Sequence, residues 1–325
     1  MSVTNVPTPE PAPNSPPRQG AEEHLSFVRT APRHLVDRNA IAEILITDWR
    51  RRDEHVFRLG AQWPREHLFY TPVAGCWHDP LLVAESLRQA ATLIARTFYD
   101  VPTEHTIVID ELDTEIVPGV ALLSSRPLEI GMEVTCTEHQ HEQGAVTGFT
   151  VEADLLRGTT FLGAGRVVLR LLSPESYRRL RGGRVRPPTD LSPLPDPLPA
   201  AIAGRLNEHD VVLGVPDHAT AAHTWQLRVD PTHPVLFDHP CDHVPSMVLL
   251  EAARQATQAV CAPYRILPTE FRSAFHRRVE MDLPCHIAAT ELPLQDAGEE
   301  TAVRVTGSQQ QRLAFDSLVL ASPCD

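Results

Sequence analysis

The sequence predicts an α+β protein made of two copies of one unit, each a curved antiparallel sheet closed around a single buried helix. Three observations carry this. The run Glu85-Ser-Leu-Arg88-Gln89-Ala90 returns as Glu251-Ala-Ala-Arg254-Gln255-Ala256, 166 residues later in a chain of 325, and self-similarity at half the chain length marks a duplication. Each copy ends an apolar stretch that leaves almost no polar face, so each helix must be buried nearly all round. Strand-like segments surround both helices in the same order.

The elements follow in sequence. Residues 1–22 carry Pro7, Pro9, Pro11, Pro13, Pro16 and Pro17, which suit neither helix nor ladder, and are expected as a disordered leader. The first unit is expected over 23–173. It opens with strands over 41–47 and 56–59 and a loop with His67. Its helix starts at Asp79-Pro80, a capping residue followed by a first-turn proline. Leu81, Leu82, Val83, Ala84, Leu87, Ala90, Ala91, Leu93 and Ile94 form its apolar surface. Strands over 106–109, 119–124, 133–137, 148–154 and 163–172 close the unit. A linker is expected over 174–199, where Arg-rich and then Pro-rich sequence replaces the alternation. The second unit, 200–325, repeats the order: strands over 211–215 and 224–229, a loop with His233, then a helix from Pro245-Ser246 through Met247, Val248, Leu249 and Leu250.

Composition excludes several functions. The net charge is -13, with 29 basic against 42 acidic residues, so no nucleic-acid partner is expected. Every basic residue is arginine. Without lysine there is no Schiff-base chemistry, no pyridoxal phosphate anchor and no Walker-type phosphate loop; no cofactor is expected. Cys76, Cys136, Cys241, Cys261, Cys285 and Cys324 occur singly, with no Cys-x-x-Cys pair and no leading secretory segment, which reads as reduced thiols in a cytoplasmic protein. No apolar run reaches the ~20 residues that span a bilayer.

The segment from His233 through His239, Cys241, Asp242, His243, Pro245 and Ser246 to Glu251 and Gln255 resembles the hotdog dehydratases of fatty-acid synthesis, with Pro245, Ser246 and Glu251 at the matching spacing and His239 two residues closer to the carboxylate than their pattern places it. The whole chain, from about His34 onward, resembles the A-factor biosynthesis family through Gly60-Ala-Gln-Trp-Pro64, Asp79 to Ala90 and Asp242 to Ala256. That resemblance implies a tandem hotdog fold. It also implies an acyltransferase that moves a β-ketoacyl group from an acyl carrier protein to the primary hydroxyl of dihydroxyacetone phosphate, giving a phosphorylated precursor of γ-butyrolactone, butenolide or furan signals. A hotdog dehydratase or thioesterase, or a non-catalytic lipid or signal sensor, is the alternative.

Such a transfer needs a base, oxyanion donors and a cation for the phosphate. Glu251 or Glu85 is expected as the base, with burial raising its pKa. Backbone N–H groups near Ser246 and Met247 would hold the thioester oxygen, and Arg254 or Arg88 would fork onto the phosphate. Gln255 and Gln89 are candidate substrate contacts, more readily read as helix amides satisfying nearby backbone. Two pseudo-equivalent seam sites are expected, one pairing His239 or His243 with Glu85, the other His78 with Glu251. The second half keeps more of the dehydratase motif, so Glu251 and Arg254 rank above Glu85 and Arg88. The competing reading of each Glu/Arg pair is an intrahelical i,i+3 ion pair.

His67 and His233 read as structural, and Trp63 and Trp225 as core aromatics. Cys136, Glu138, His139, His141 and Glu142 fit no known ligand spacing, so no metal is expected. Arg178, Arg179, Arg181, Arg184 and Arg186 read as a solvated linker, or else as a docking strip for an acidic carrier. One chain supplies both halves, so the unit is a monomer or, through sheet edges, a homodimer.

Overall fold

A computed structural model describes residues 24–142, 144–191, 193–215, 222–293 and 300–324; the leader expected over 1–22 lies outside them. The first half contains β1 (Ile46–Asp53), β2 (Val56–Trp63), α1 (Leu81–Phe98), β3 (Thr106–Ile116), β4 (Leu128–Glu142), β5 (Ala145–Arg157) and β6 (Thr160–Leu172). Next come α2 (Pro174–Leu180) and α3 (Ala200–Ala203). The second half contains β7 (Leu213–Gly214), β8 (Thr224–Leu227), α4 (Ser246–Cys261), β9 (Ile266–Phe275), β10 (Cys285–Leu292), β11 (Thr301–Gln309) and β12 (Arg312–Pro323).

All twelve strands join one antiparallel sheet in the order β1-β2-β4-β5-β6-β3-β9-β12-β11-β10-β8-β7. The order is a palindrome of the repeat, since β3 and β9 are counterparts and pair with each other at the centre, Leu112 opposite Ser273 and Thr114 opposite Phe271. The outer edges are blunted. β7 has two residues, and β1 ends in Arg50, Arg51, Arg52 and Asp53 after a register shift, so neither offers a long apolar ladder to another chain.

The helices behave as their sequences require. α1 packs on β1, β2, β3 and β6, α4 packs on β7, β9, β10, β11 and β12, and the two touch each other. Leu81, Val83, Leu87, Leu93 and Ile94 are wholly buried, each contributing about 1.5–3 kcal/mol of burial. β6 admits α1 by carrying glycine: a Cβ on Gly165 would lie 2.1 Å from the Leu87 Cδ1.

Three expected strands differ. Residues 41–43 form a 3-10 turn, and the strand begins later, at Ile46. Over 119–124 the chain turns after Pro118-Gly119 and keeps only an isolated bridge from Leu122 to Trp77. In the second half only Leu213–Gly214 of 211–215 is strand, because Val211 and Val212 bond elsewhere. Among the described residues no helix is long and apolar enough to cross a membrane.

The interdomain segment is more ordered than a solvated linker. Ser173 caps α2 through the Ser176 N–H, and Tyr177 and Arg181 are buried. Trp63 and Trp225 are core aromatics, Trp63 donating to the Ser86 hydroxyl at 2.8 Å.

Candidate active site

Each central helix holds its carboxylate in the same clamp. Glu85 accepts from Arg88 at 2.9 and 3.0 Å, from Gln89 at 2.6 Å and from Arg38 at 2.7 and 3.0 Å. Glu251 accepts from Arg254 at 2.9 Å on both oxygens, from Gln255 at 2.5 Å and from Arg205 at 2.8 and 2.5 Å. The amides complete the clamp. Gln89 donates to the Glu43 carbonyl and accepts from Leu45 N–H; Gln255 donates to the Asp210 carbonyl and accepts from Val212 N–H. A second duplicated contact lies beside it: His67 meets Glu43 at 3.3 Å and His233 meets Asp210 at 3.2 Å, while each ring accepts two backbone N–H bonds.

This reverses the expected acid chemistry. Burial alone would raise both carboxylates, but two guanidinium charges and their hydrogen bonds outweigh it, and Glu85 and Glu251 both fall to about 2. Both acids are about 1% exposed or less. Neither lines a cavity among those described. An anion held this firmly is a poor proton acceptor near neutrality.

The clamps also tie the halves together. Arg38 donates to the Val235 carbonyl of the second half, and Arg205 donates to the Phe69 carbonyl of the first at 2.6 Å and lies over the Phe69 ring. Here the symmetry ends. Position 79 is aspartate where its counterpart, 166 residues on, is Pro245. Asp79 Oδ1 accepts from Leu81 N–H at the start of α1 while Oδ2 meets Arg205 at 3.3 Å. α4 begins after Pro245, with no side-chain cap, leaving its first N–H groups and positive dipole end available.

That uncapped end opens on a cavity of about 400 Å³ at the seam, lined by Arg38 and Arg88 from the first half and His239, His243, Ser246, Met247 and Arg278 from the second. His243 Nδ1 lies 2.6 Å from Asp242, whose two oxygens also accept from the Tyr177 hydroxyl at 2.9 Å each. Arg181 fixes the same carboxylate at 3.1 Å and is itself forked onto Glu280 at 2.6 and 2.8 Å. Burial would raise Asp242, but His243, Tyr177 and Arg181 bring it down to about 2. Burial lowers His243 below its ordinary value; the Asp242 bond opposes this and the Arg278 charge adds to it. The lowering favours the neutral imidazole, and in the tautomer that donates Nδ1–H to Asp242 the Nε2 atom is left to accept a proton.

The cavity therefore gathers one predicted set, His239, His243, Ser246, Met247 and Arg88, with Glu85 immediately behind Arg88. Glu251, Arg254, Gln255 and Gln89 stand away from its wall. His78 is buried beside Trp63, with Nε2 unbonded and its pKa lowered by burial, then by Arg157, to about 4; among the described residues no hydrogen bond joins it to Glu251. Sequence reading did not single out Arg38 and Arg205, though both are arginines 167 residues apart. It gave Asp242 no role beyond its place in the motif and passed over Tyr177 and Arg278, and only folding brings the three together. Among the described residues no group of three or more metal-ligating side chains forms a metal site; Cys136 and His139 instead gather around Tyr99.

Fold and seam define a tandem hotdog protein in which each central helix carries the same buried carboxylate clamp and one helix end faces an open polar cavity. The chain belongs to the A-factor biosynthesis hotdog family, whose domain matches residues 20–173 and 188–324. It is 42% identical to the 2-oxo-3-(phosphooxy)propyl 3-oxoalkanoate synthase of Streptomyces virginiae, over 89% of this chain and 97% of that one. The protein of the same name from Streptomyces coelicolor is 38% identical, over 91% and 93%. An acyl-ACP thioesterase structure from Bacteroides thetaiotaomicron superimposes with a TM-score of 0.49 at 11% identity, covering 82% of this chain and 98% of that one.

Proposed function

We propose that this chain transfers a β-ketoacyl group from an acyl carrier protein thioester to the primary hydroxyl of dihydroxyacetone phosphate. The observation that carries the reading is the meeting of the Asp242–His243 dyad with the uncapped start of α4 in one cavity. His243 Nε2 takes the hydroxyl proton as the acceptor oxygen attacks the thioester carbonyl. The Ser246 and Met247 N–H groups receive the developing oxyanion. The carbon–sulfur bond then breaks and the carrier thiol leaves with the proton from the imidazolium. Asp242 keeps the ring in the tautomer this requires. Glu85 acts from behind, holding the Arg88 and Arg38 forks in place.

The synthase names of relatives that share about 40% of their residues with this chain support the same reaction. An adjoining, mostly apolar cavity of about 250 Å³, walled by Pro187, Leu191, Phe237 and Met281 with Asp238 and His239 beside them, would take the acyl tail. We place the reaction in the cytoplasm, in keeping with six free thiols, and read the working unit as a monomer because its sheet edges are short or charged.

The test is to incubate the protein with a 3-oxoacyl carrier protein and dihydroxyacetone phosphate and to weigh the products. A phosphorylated ester that disappears in His243→Gln supports the reading. Free 3-oxo acid alone would make the chain a thioesterase, and binding without turnover would make it a sensor.

A further inference from the structure

We infer that Arg278, rather than Arg88 or Arg254, is the group that seats the acceptor's phosphate; this rests on the transfer reaction proposed above. The argument starts from which guanidiniums at the seam are already engaged. Arg38 and Arg88 share Glu85. Arg205 and Arg254 share Glu251, and Arg205 also has Asp79. Arg181 is held by Asp242 and Glu280. A cation whose fork is already filled by a carboxylate has little left to offer a second anion.

Among the described residues Arg96, also on the cavity wall, forms no ion pair, but its terminal nitrogens donate to the Val101, Pro102 and His105 carbonyls, leaving only its Nε without a partner. Arg278 is different. Among the described residues its side chain makes no hydrogen bond and no ion pair, and its buried Nε has no partner. It lines the cavity with His243, Asp242 and Tyr177. Asp110, the carboxylate whose charge reaches it, is bound by Arg170 through two hydrogen bonds of 2.6 and 2.7 Å. Arg170 and Arg181 add like charge. A half-buried guanidinium among cations, with a donor facing nothing, is a standing cost that an incoming dianion removes. A phosphate accepts from Nε and a terminal nitrogen together, the bidentate geometry that arginine offers and lysine does not.

The position suits the chemistry. Arg278 is near enough to His243 for its charge to disfavour the imidazolium, so an acceptor anchored by its phosphate at Arg278 would present its hydroxyl to His243 Nε2. A bound dianion would also offset that charge and make the imidazole a stronger base just when the acceptor is in place.

Inorganic phosphate, titrated calorimetrically into the full-length protein, is the direct probe. Arg278→Met is expected to weaken phosphate binding at least about 30-fold, with Arg278→Lys intermediate and Arg88→Met retaining it. In turnover, the preference for dihydroxyacetone phosphate over dihydroxyacetone should fall by a similar factor in Arg278→Met. Should that variant not fold, the native protein still decides: phosphate should block phenylglyoxal modification of Arg278, read by peptide mass. No saturable phosphate binding, no protection of Arg278, or loss of binding in Arg88→Met or Arg96→Met but not in Arg278→Met would each overturn the inference. Phosphate binding at Arg278 without any ester product would sink the transfer reaction and leave the anion site standing. Ester formation with no preference for the phosphorylated acceptor would do the reverse.

Discussion

Asp79 and Arg205 meet at 3.3 Å across the seam, one from each half, and this contact makes the two pseudo-equivalent seams unequal. By capping α1 and engaging Arg205 together, Asp79 supplies negative charge at the helix end whose counterpart on α4 is left open. Asp79→Asn keeps an oxygen for the cap and removes the charge. The expected result is a loss of about 1–3 kcal/mol in urea unfolding, with the transfer rate unchanged, because the His243 cavity lies at the other seam.

Asp242→Asn tests the dyad. It removes the anion that orients Nδ1–H, so the rate should fall by about 10²–10⁴. If His243 is the base, activity of the native protein should be lost as pH falls through the His243 pKa, which lies below the ordinary 6.5. Removing Asp242 takes away the group that opposes this lowering, so the acidic limb of the residual activity should move further down. A limb left in place would show that His243 is not the titrating base.

Glu251→Gln leaves Arg205 and Arg254 buried with one fewer anion. A cost of about 3–5 kcal/mol is expected in chemical denaturation. Glu85→Gln should cost a similar amount, because Arg38 and Arg88 lose the same kind of partner.

Acid should unfold the protein in two stages. His78 is lowered to about 4, so its contribution is present above 6.5 and is lost as pH falls from 6.5 toward 4. Glu85 and Glu251 lie at about 2 against an ordinary 4.5, so their contribution, on the order of 3 kcal/mol each, is full above 4.5 and is lost between 4.5 and 2. Urea midpoints across pH 7 to 3 should show both declines, and His78→Gln should shrink the first, leaving the part that His243 contributes.

Met281→Trp should narrow the apolar cavity and shift preference toward shorter acyl chains. Competition between carrier-bound substrates of two lengths reads this directly.

The repeat and the all-round apolar helices made the tandem architecture legible, because duplication and buried periodicity are written locally in the chain. The candidate carboxylates were found for the same reason, yet their chemistry was misread. A buried Glu at i,i+3 to Arg looks like a raised pKa until a second guanidinium arrives from Arg38 or Arg205, some 46 or 47 residues distant. The turn over 119–124 was misread because the apolar run Val120 to Leu123 mimics a short buried strand, while Pro118 sets the turn that wins. Asp242 was hidden beside His243, since nothing in a linear reading brings in Tyr177 and Arg181 from a helix more than 60 residues upstream.

The pairing of β3 with β9 makes one covalent chain do what two identical subunits do in a symmetric dimer. In such a dimer every substitution is inherited by both interfaces at once, so neither can change alone. Here Asp79 and Pro245 occupy corresponding places yet mutate independently, so one seam can carry an extra ion pair while the helix end at the other stays open to a cavity. Duplication followed by fusion thus gave this lineage an asymmetry that no homodimer could have evolved.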